Sequence, residues 1–179
     1  MSARASAGRY ARALLDVAVD QGNTRQVGND LSAFVAMVGA HAELQRVFTN
    51  PAVPMAHKRK LVDALAARAG AAAPVANLLG MLAERNRLAL LTDIDDAYRR
   101  RLMDHDGVIE AEITMAVPLD AAAADALRAR LASATGRQVI MTTRTDDALI
   151  GGVVARLGST VYDGSVAAQL QKIRTRLGG

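Results

Sequence analysis

The 179 residues suffice for one domain or two small ones with a real core. Absence of cysteine removes disulfides and thiolate metal sites and fits a reducing compartment, and 3% aromatics argues against a base-stacking nucleic-acid platform. The net charge of +4 is spread as 14 basic against 11 acidic residues in 1–106 and 8 against 7 in 107–179, so there is no basic arm or stripe. Lys58-Arg59-Lys60 and Arg99-Arg100-Arg101 are the only basic runs, and such runs are usually solvated helix faces. No segment has the ~20 apolar residues that span a bilayer.

Residues 3–106 read as helical throughout. A first helix is predicted from Ala3 to Gln21, stopped by Gly22-Asn23. Thr24 can cap a second, to Val38 before Gly39, and His41–Phe48 makes a short third. Asn50-Pro51 breaks the chain. Pro54 suits the first turn of a fourth helix ending near Gly70, Pro74 opens a fifth to Ala83, and Asn86 or Thr92 begins a sixth to His105. Six helices with short connections predict a bundle over 1–106.

After Asp106-Gly107 the period changes. Val108–Val117 alternates like a half-buried strand and Pro118 ends it. Asp120 caps a helix to Ser133, Gly136 closes it, and Gln138–Thr145 reads as a second strand. Two strands, Val153–Leu157 and Thr160–Asp163, then flank Gly158-Ser159, the Gly-X pattern of a type II′ hairpin turn. Ser165 caps a final helix, Val166–Leu177. The expected fold is therefore α+β: the helical bundle, then a small α/β domain over 107–179 with a short sheet and two helices.

The glycines of Leu149–Ser165 could in principle cradle phosphate. However, Gly152 and Gly158 have five residues between them, not four, and Ser159 stands where a P-loop needs lysine. The hairpin reading gives each glycine a backbone role instead: Gly151-Gly152 as a bulge or a close backbone approach, Gly158 in the turn, and Asp163-Gly164-Ser165 leading into the last helix.

Nothing in the sequence suggests chemistry. His41, His57 and His105 are not at ligand spacing, and Asp93, Asp95 and Asp96 are explained by the dipole of a helix first turn. No cofactor, metal or small-molecule substrate is expected. The informative feature is apolar excess. On the first helix Leu14, Val17, Ala13, Ala18, Ala11, Leu15 and Val19 cover about two-thirds of the circumference, whereas a surface helix needs a stripe of about 100°. The fifth, Pro74–Ala83, has Asn77 as its only polar side chain. Both helices can simply be core. If a groove lies between them, an amphipathic helix from another chain is the natural occupant.

Taken together, several segments resemble one family: Tyr10-Ala11-Arg12-Ala13-Leu14, Asn50-Pro51 before a basic helix, the Leu78–Leu88 segment with its Leu-Ala-Glu-x-x-Arg-Leu ending, and the C-terminal Leu-Ile-Gly-Gly…Arg-x-Gly…Asp-Gly-Ser. The family is the delta subunit of bacterial ATP synthase, called oligomycin sensitivity-conferring protein in mitochondria. The resemblance covers essentially the whole chain. Ser159 departs from it, because the family often has Asp after Arg-x-Gly.

The resemblance implies a non-catalytic peripheral-stalk, or stator, subunit of the proton-translocating enzyme. In such a subunit the N-terminal bundle holds N-terminal helices of the alpha subunits, and the C-terminal domain meets the end of the b-subunit stalk. Carried onto this sequence, the groove residues are Tyr10, Leu14, Val17, Asn77, Leu78 and Met81. Gly151, Gly152, Arg156, Gly158, Asp163, Gly164 and Ser165 shape the C-terminal domain. The resemblance also implies attachment, through the complex alone, to the cytoplasmic face of a bacterial plasma membrane, and the lack of a transit peptide favours a bacterial protein. Leu14→Asp or Met81→Asp should weaken headpiece binding without unfolding the domain. The alternatives are a free-standing helical adaptor for an amphipathic peptide helix, an enzyme or nucleotide-binding protein, motivated only by the glycines, and a nucleic-acid binder.

Overall fold

A computed structural model describes residues 3–146, 149, 151–158, 160–166 and 168. The chain divides into two compact units, Met1–Met103 and Asp104–Gly179. Its class is α+β, with seven α-helices and a four-stranded sheet among the described residues.

In the first unit α1 spans Ala3–Asp20, α2 Thr24–Ala40, α3 Ala42–Thr49, α4 Met55–Ala69, α5 Ala73–Glu84 and α6 Leu91–His105, with a 3-10 turn at Leu88–Leu90. Four details differ from the sequence reading. Thr24 is the first residue of α2, not its cap; Asn23 holds the cap position and makes no side-chain capping bond. Gly39 lies inside α2, because one glycine costs a helix only about 1 kcal/mol. Pro54 is the N-cap residue of α4 and not part of its first turn. The sixth helix starts at Leu91, because Asn86 adopts a left-handed φ of 52° and reverses the chain before the 3-10 turn.

The core of this unit is built from Val27, Leu31, Phe34, Val62, Val75, Leu79, Leu82, Ile94 and Tyr98. Burying each leucine, valine or isoleucine contributes about 1.5–3 kcal/mol relative to exposure. Polar ties fix the register of the helices. The Tyr98 hydroxyl donates to the Thr24 carbonyl at 2.8 Å, and its ring lies on Gly28. The Asp30 carboxylate accepts from the Ala72 amide at 2.8 Å, which satisfies a donor at the start of α5. Asp95 is buried, taking a hydrogen bond from Ser32 at 2.7 Å and pairing with Arg99 at 3.1 Å, so this carboxylate is structural.

Lys58 is the least expected core residue. It is fully buried, and its Nζ donates to the Phe48 carbonyl at 3.0 Å and to Asn86 Oδ1 at 2.7 Å. It ties the end of α3 and the turn after α5 to α4. Lys58→Met keeps the apolar stem but leaves both acceptors unmet. Urea unfolding should read a loss of about 2 kcal/mol, and an unchanged midpoint would show that the two bonds are dispensable.

Gly80 of α5 has no side chain, and the Arg59 guanidinium of α4 lies where one would be. A Cβ there would lie 2.4 Å from the guanidinium carbon of Arg59. Arg59 is held in place by Asp63, at 2.9 Å, and by Glu84. Hydrogen bonding to Asp63, with attraction to both carboxylates, raises the Arg59 pKa above its ordinary value.

In the second unit β1 spans Val108–Met115, α7 Ala121–Thr135, β2 Gln138–Thr145, β3 Val153–Leu157 and β4 Thr160–Asp163. The sheet order is β2-β1-β3-β4. β1 and β2 are parallel and joined through α7, whereas β1–β3 and β3–β4 are antiparallel. β1 stops at Met115, two residues short of the predicted Val117, where its pairing with β2 ends at Thr145. Asp120 caps α7 through the Ala123 amide at 2.7 Å, and the helix runs to Thr135, two residues beyond the predicted Ser133. Ala111, Ile113 and Met115 of β1 alternate into a small core with Val139 and Leu157, against which Leu127 and Leu131 of α7 pack. Of the predicted final helix, only Val166 and Ala168 lie within the described residues, and both are helical.

Candidate functional site

The six groove residues named from the sequence line a single trough between α1 and α5, of about 460 Å³. Tyr10, Ala13, Leu14 and Val17 come from α1; Pro74, Asn77, Leu78 and Met81 come from α5. Each set has the spacing i, i+3, i+4, i+7, a stripe on one helix face. At 1.5 Å per residue each stripe is about 10 Å long, about two turns of a third helix.

Burial separates the flanks that periodicity could not. On α1, Ala7, Ala11 and Ala18 face the core, while Val17 is 43% exposed. On α5, Val75, Leu79, Leu82 and Ala83 face the core, while Met81 is 41% exposed and Asn77 is exposed. Leu14 and Leu78, at 5% and 6% exposure, form the floor, shared between core and groove, and Tyr10 is half-buried. The burial of Leu14 overturns its use as a surface probe: an aspartate there would place a carboxylate in the core and unfold the helix packing.

Five lining residues were not anticipated as part of the site: Ala13, Pro74 and the arginines Arg9, Arg85 and Arg87. The Arg87 guanidinium donates to the Tyr10 hydroxyl at 3.2 Å across the groove. The signal for Arg85 was present in the sequence, since it lies one helical turn beyond Met81. Two further depressions, of about 500 and 600 Å³, contain none of the predicted residues. One lies among Val35, Phe48, Leu88 and Leu91, the other among Met37, His41, Glu43 and Leu65.

The described residues of the glycine-rich stretch form a backbone crossing. Gly152 has a φ of 88°, and a Cβ on it would lie 2.5 Å from the Gly164 carbonyl oxygen and 2.8 Å from Ser165 Cα. This is the close approach, rather than a bulge. The Gly164 amide donates to the Val153 carbonyl at 2.9 Å, and the Val166 amide donates to the Gly151 carbonyl at 3.0 Å. Asp163 accepts from the Ser165 amide at 2.9 Å, and the buried Ser165 hydroxyl accepts from the Ala168 amide at 3.2 Å. Gly158 has a φ of 56°, the left-handed value that both type I′ and type II′ turns require at the first central position. Its partner in the turn, Ser159, lies outside the described residues. Arg156 sits exposed on β3 opposite Glu112 of β1, which pairs with Arg144 of β2 at 3.4 Å.

Among the described residues no group of three or more His, Cys, Asp or Glu could hold a metal ion, and no helix is long and apolar enough to cross a membrane.

The fold is similar to that of chains in solved rotary ATP synthases. Over 97% of both chains it is similar to a chain of the Toxoplasma gondii mitochondrial ATP synthase hexamer, with a TM-score of 0.67 and 27% identity. It is also similar to a chain of the Polytomella F-ATP synthase, from a refinement of the F1 head and rotor. There the TM-score is 0.53 and the identity 25%, over 55% of this chain and 87% of that one. The model of the ATP synthase delta (OSCP) subunit family matches residues 7–177, and the chain belongs to that family. Among its relatives, the ATP synthase subunit delta of Anaeromyxobacter dehalogenans (strain 2CP-1) is 41% identical over 169 residues, 94% of each chain. That of Myxococcus xanthus (strain DK1622) is 40% identical over 171 residues, again 94% of each.

Proposed function

We infer that this chain is a non-catalytic peripheral-stalk subunit of the proton-translocating ATP synthase. It ties the catalytic headpiece to the membrane-anchored stalk and resists the torque of the turning rotor. Family membership over nearly the whole chain carries the stalk assignment. The α1–α5 groove supports the finer reading that follows.

In that reading α1–α6 act together as one six-helix bundle whose groove takes an N-terminal helix of an alpha subunit. Tyr10, Leu14, Val17, Asn77, Leu78 and Met81 contact it. Val17 and Met81 are apolar side chains that line the groove and stand exposed in the free chain. Covering them is the free-energy gain that drives docking, at about 25 cal/mol per Å² of apolar surface. The second unit meets the end of the b-subunit stalk, with Gly151, Gly152, Arg156, Gly158, Asp163, Gly164 and Ser165 setting its shape rather than touching the partner. The chain lies on the cytoplasmic face of a bacterial plasma membrane, held there through the complex. A stator contact must outlast many rotor turns, so its dissociation is slow.

The test is calorimetric titration of the full chain with a synthetic peptide of the N-terminal helix of the same organism's alpha subunit. Saturable one-to-one binding with a negative heat-capacity change is expected. Absence of binding to the intact, folded chain would sink the groove assignment.

A further inference from the structure

The groove is electrically polarised along its length. Of the eleven residues that line it, Arg9, Arg85 and Arg87 are charged and none is acidic. The Arg87–Tyr10 hydrogen bond brings the turn after α5 beside the first half of α1, Arg9 adjoins Tyr10 in sequence and Arg85 lies one turn beyond Met81, so the three arginines belong to the Tyr10 end of the lining. All three arginines are exposed. Arg9 and Arg87 donate to neutral hydroxyls, on Ser6 at 3.4 Å and on Tyr10 at 3.2 Å. Among the described residues no carboxylate forms an ion pair with any of the three. The nearest acid in sequence, Glu84, is engaged by Arg59 of α4. The rest of the trough is apolar apart from Asn77.

Three uncompensated cations around one end of an apolar trough specify a complementary occupant. We propose that the groove selects an acidic amphipathic helix, one whose apolar stripe is flanked at one end by carboxylates, and that Arg9, Arg85 and Arg87 receive those carboxylates and so fix the direction in which the helix lies. The inference rests on the reading of the groove as a helix-docking site. Guanidinium suits the task because its planar fork can meet a carboxylate with two hydrogen bonds. Rim charges of this kind act on partner choice, encounter rate and salt dependence, while the apolar floor holds the complex together.

The test uses the full chain and the purified F1 headpiece of the same organism's ATP synthase, with affinity and association rate read over a series of salt concentrations. Replacing all three arginines with glutamine should weaken binding by about tenfold at low salt and flatten the salt dependence, as expected for a few exposed pairs. Unchanged affinity and salt dependence would overturn the proposal. Val17→Asp, at the uncharged end, is the control: if it weakens binding about a hundredfold while the glutamine variant binds like the parent, the groove stands and the selectivity falls. If Val17→Asp also binds like the parent, the docking site itself is wrong. A second arm is chemical. The chain has three lysines, Lys58, Lys60 and Lys172, none of them lining the groove. Carbodiimide treatment of an Arg85→Lys variant bound to the headpiece should join the new amine to an aspartate or glutamate of the occupant. A bound complex giving no such adduct would contradict the placement of carboxylates at this end.

Discussion

Val17→Asp is expected to weaken binding to the F1 headpiece by about 3 kcal/mol, on the order of a hundredfold in Kd, with the fold intact. The asymmetry comes from where Val17 sits. In the free chain it is 43% exposed on the groove side of α1, so an aspartate there keeps its water. The cost to stability is a few tenths of a kcal/mol, from helix propensity and from an acid near the C-terminal end of a helix. In the complex the same carboxylate is trapped beneath an apolar partner face with no cation beside it, and burying an uncompensated charge costs several kcal/mol. Met81→Asp acts in the same direction more mildly, because Arg85 lies one turn further along the helix and can pair with the new acid. Binding kinetics with parallel circular dichroism checks both variants. A Val17→Asp chain that is folded and binds like the parent would remove α1 from the interface.

The second large effect is on the other unit. Gly152→Ala is expected to cost about 3 kcal/mol, enough to leave a sheet domain of this size largely unfolded. Two terms add. A φ of 88° is strained for any residue with a Cβ, and that Cβ would meet the Gly164 carbonyl oxygen at 2.5 Å. The obstruction is backbone, held by the Gly164–Val153 and Val166–Gly151 hydrogen bonds, and cannot rotate aside. Gly158→Ala isolates the conformational term, because open space surrounds that position and only the left-handed backbone resists, at about 1 kcal/mol. Hydrogen exchange at β1 and β3 amides would separate the two. Equal losses from both substitutions would mean that the close approach at Gly152 does not govern this unit's stability.

Much of this was legible in the sequence, for identifiable reasons. The stop at Gly22-Asn23, the break at Asn50-Pro51 and the proline opening α5 are backbone constraints that local chemistry imposes, and the element order follows from them. The alternation of Val108–Met115 marked a strand because one of its faces is buried. The partners of that strand were not legible. That β1 lies between a parallel and an antiparallel neighbour is decided by how α7 crosses over, and α7 buries no residue fully, so its sequence carries only a weak stripe. The late start of α6 escaped for a similar reason: Asn86 takes its left-handed φ while bound to Lys58, twenty-eight positions earlier. In the groove, apolar periodicity found both helices but could not tell Leu14 from Val17. Hydrophobicity alone does not distinguish a side chain covered by its own fold from one exposed in the free chain. The arginine rim was missed because it comes from two distant places in the sequence, Arg9 and the Arg85–Arg87 turn, brought together by folding.

The seat of Arg59 on Gly80 has a mechanical consequence. The α5 stripe that faces the groove and the α5 face that meets α4 belong to the same two turns of helix, and the second face is clamped by a guanidinium wedged against bare backbone and braced from both helices by Asp63 and Glu84. If the groove takes its proposed partner, a pull on Met81 would pass into α4 within one helix diameter, without crossing a loop. For a part of a peripheral stalk, which resists the torque of a rotor, the relevant property of such a joint is its stiffness. The shorter the load path, the less elastic energy is lost in the stator before it returns to the rotor.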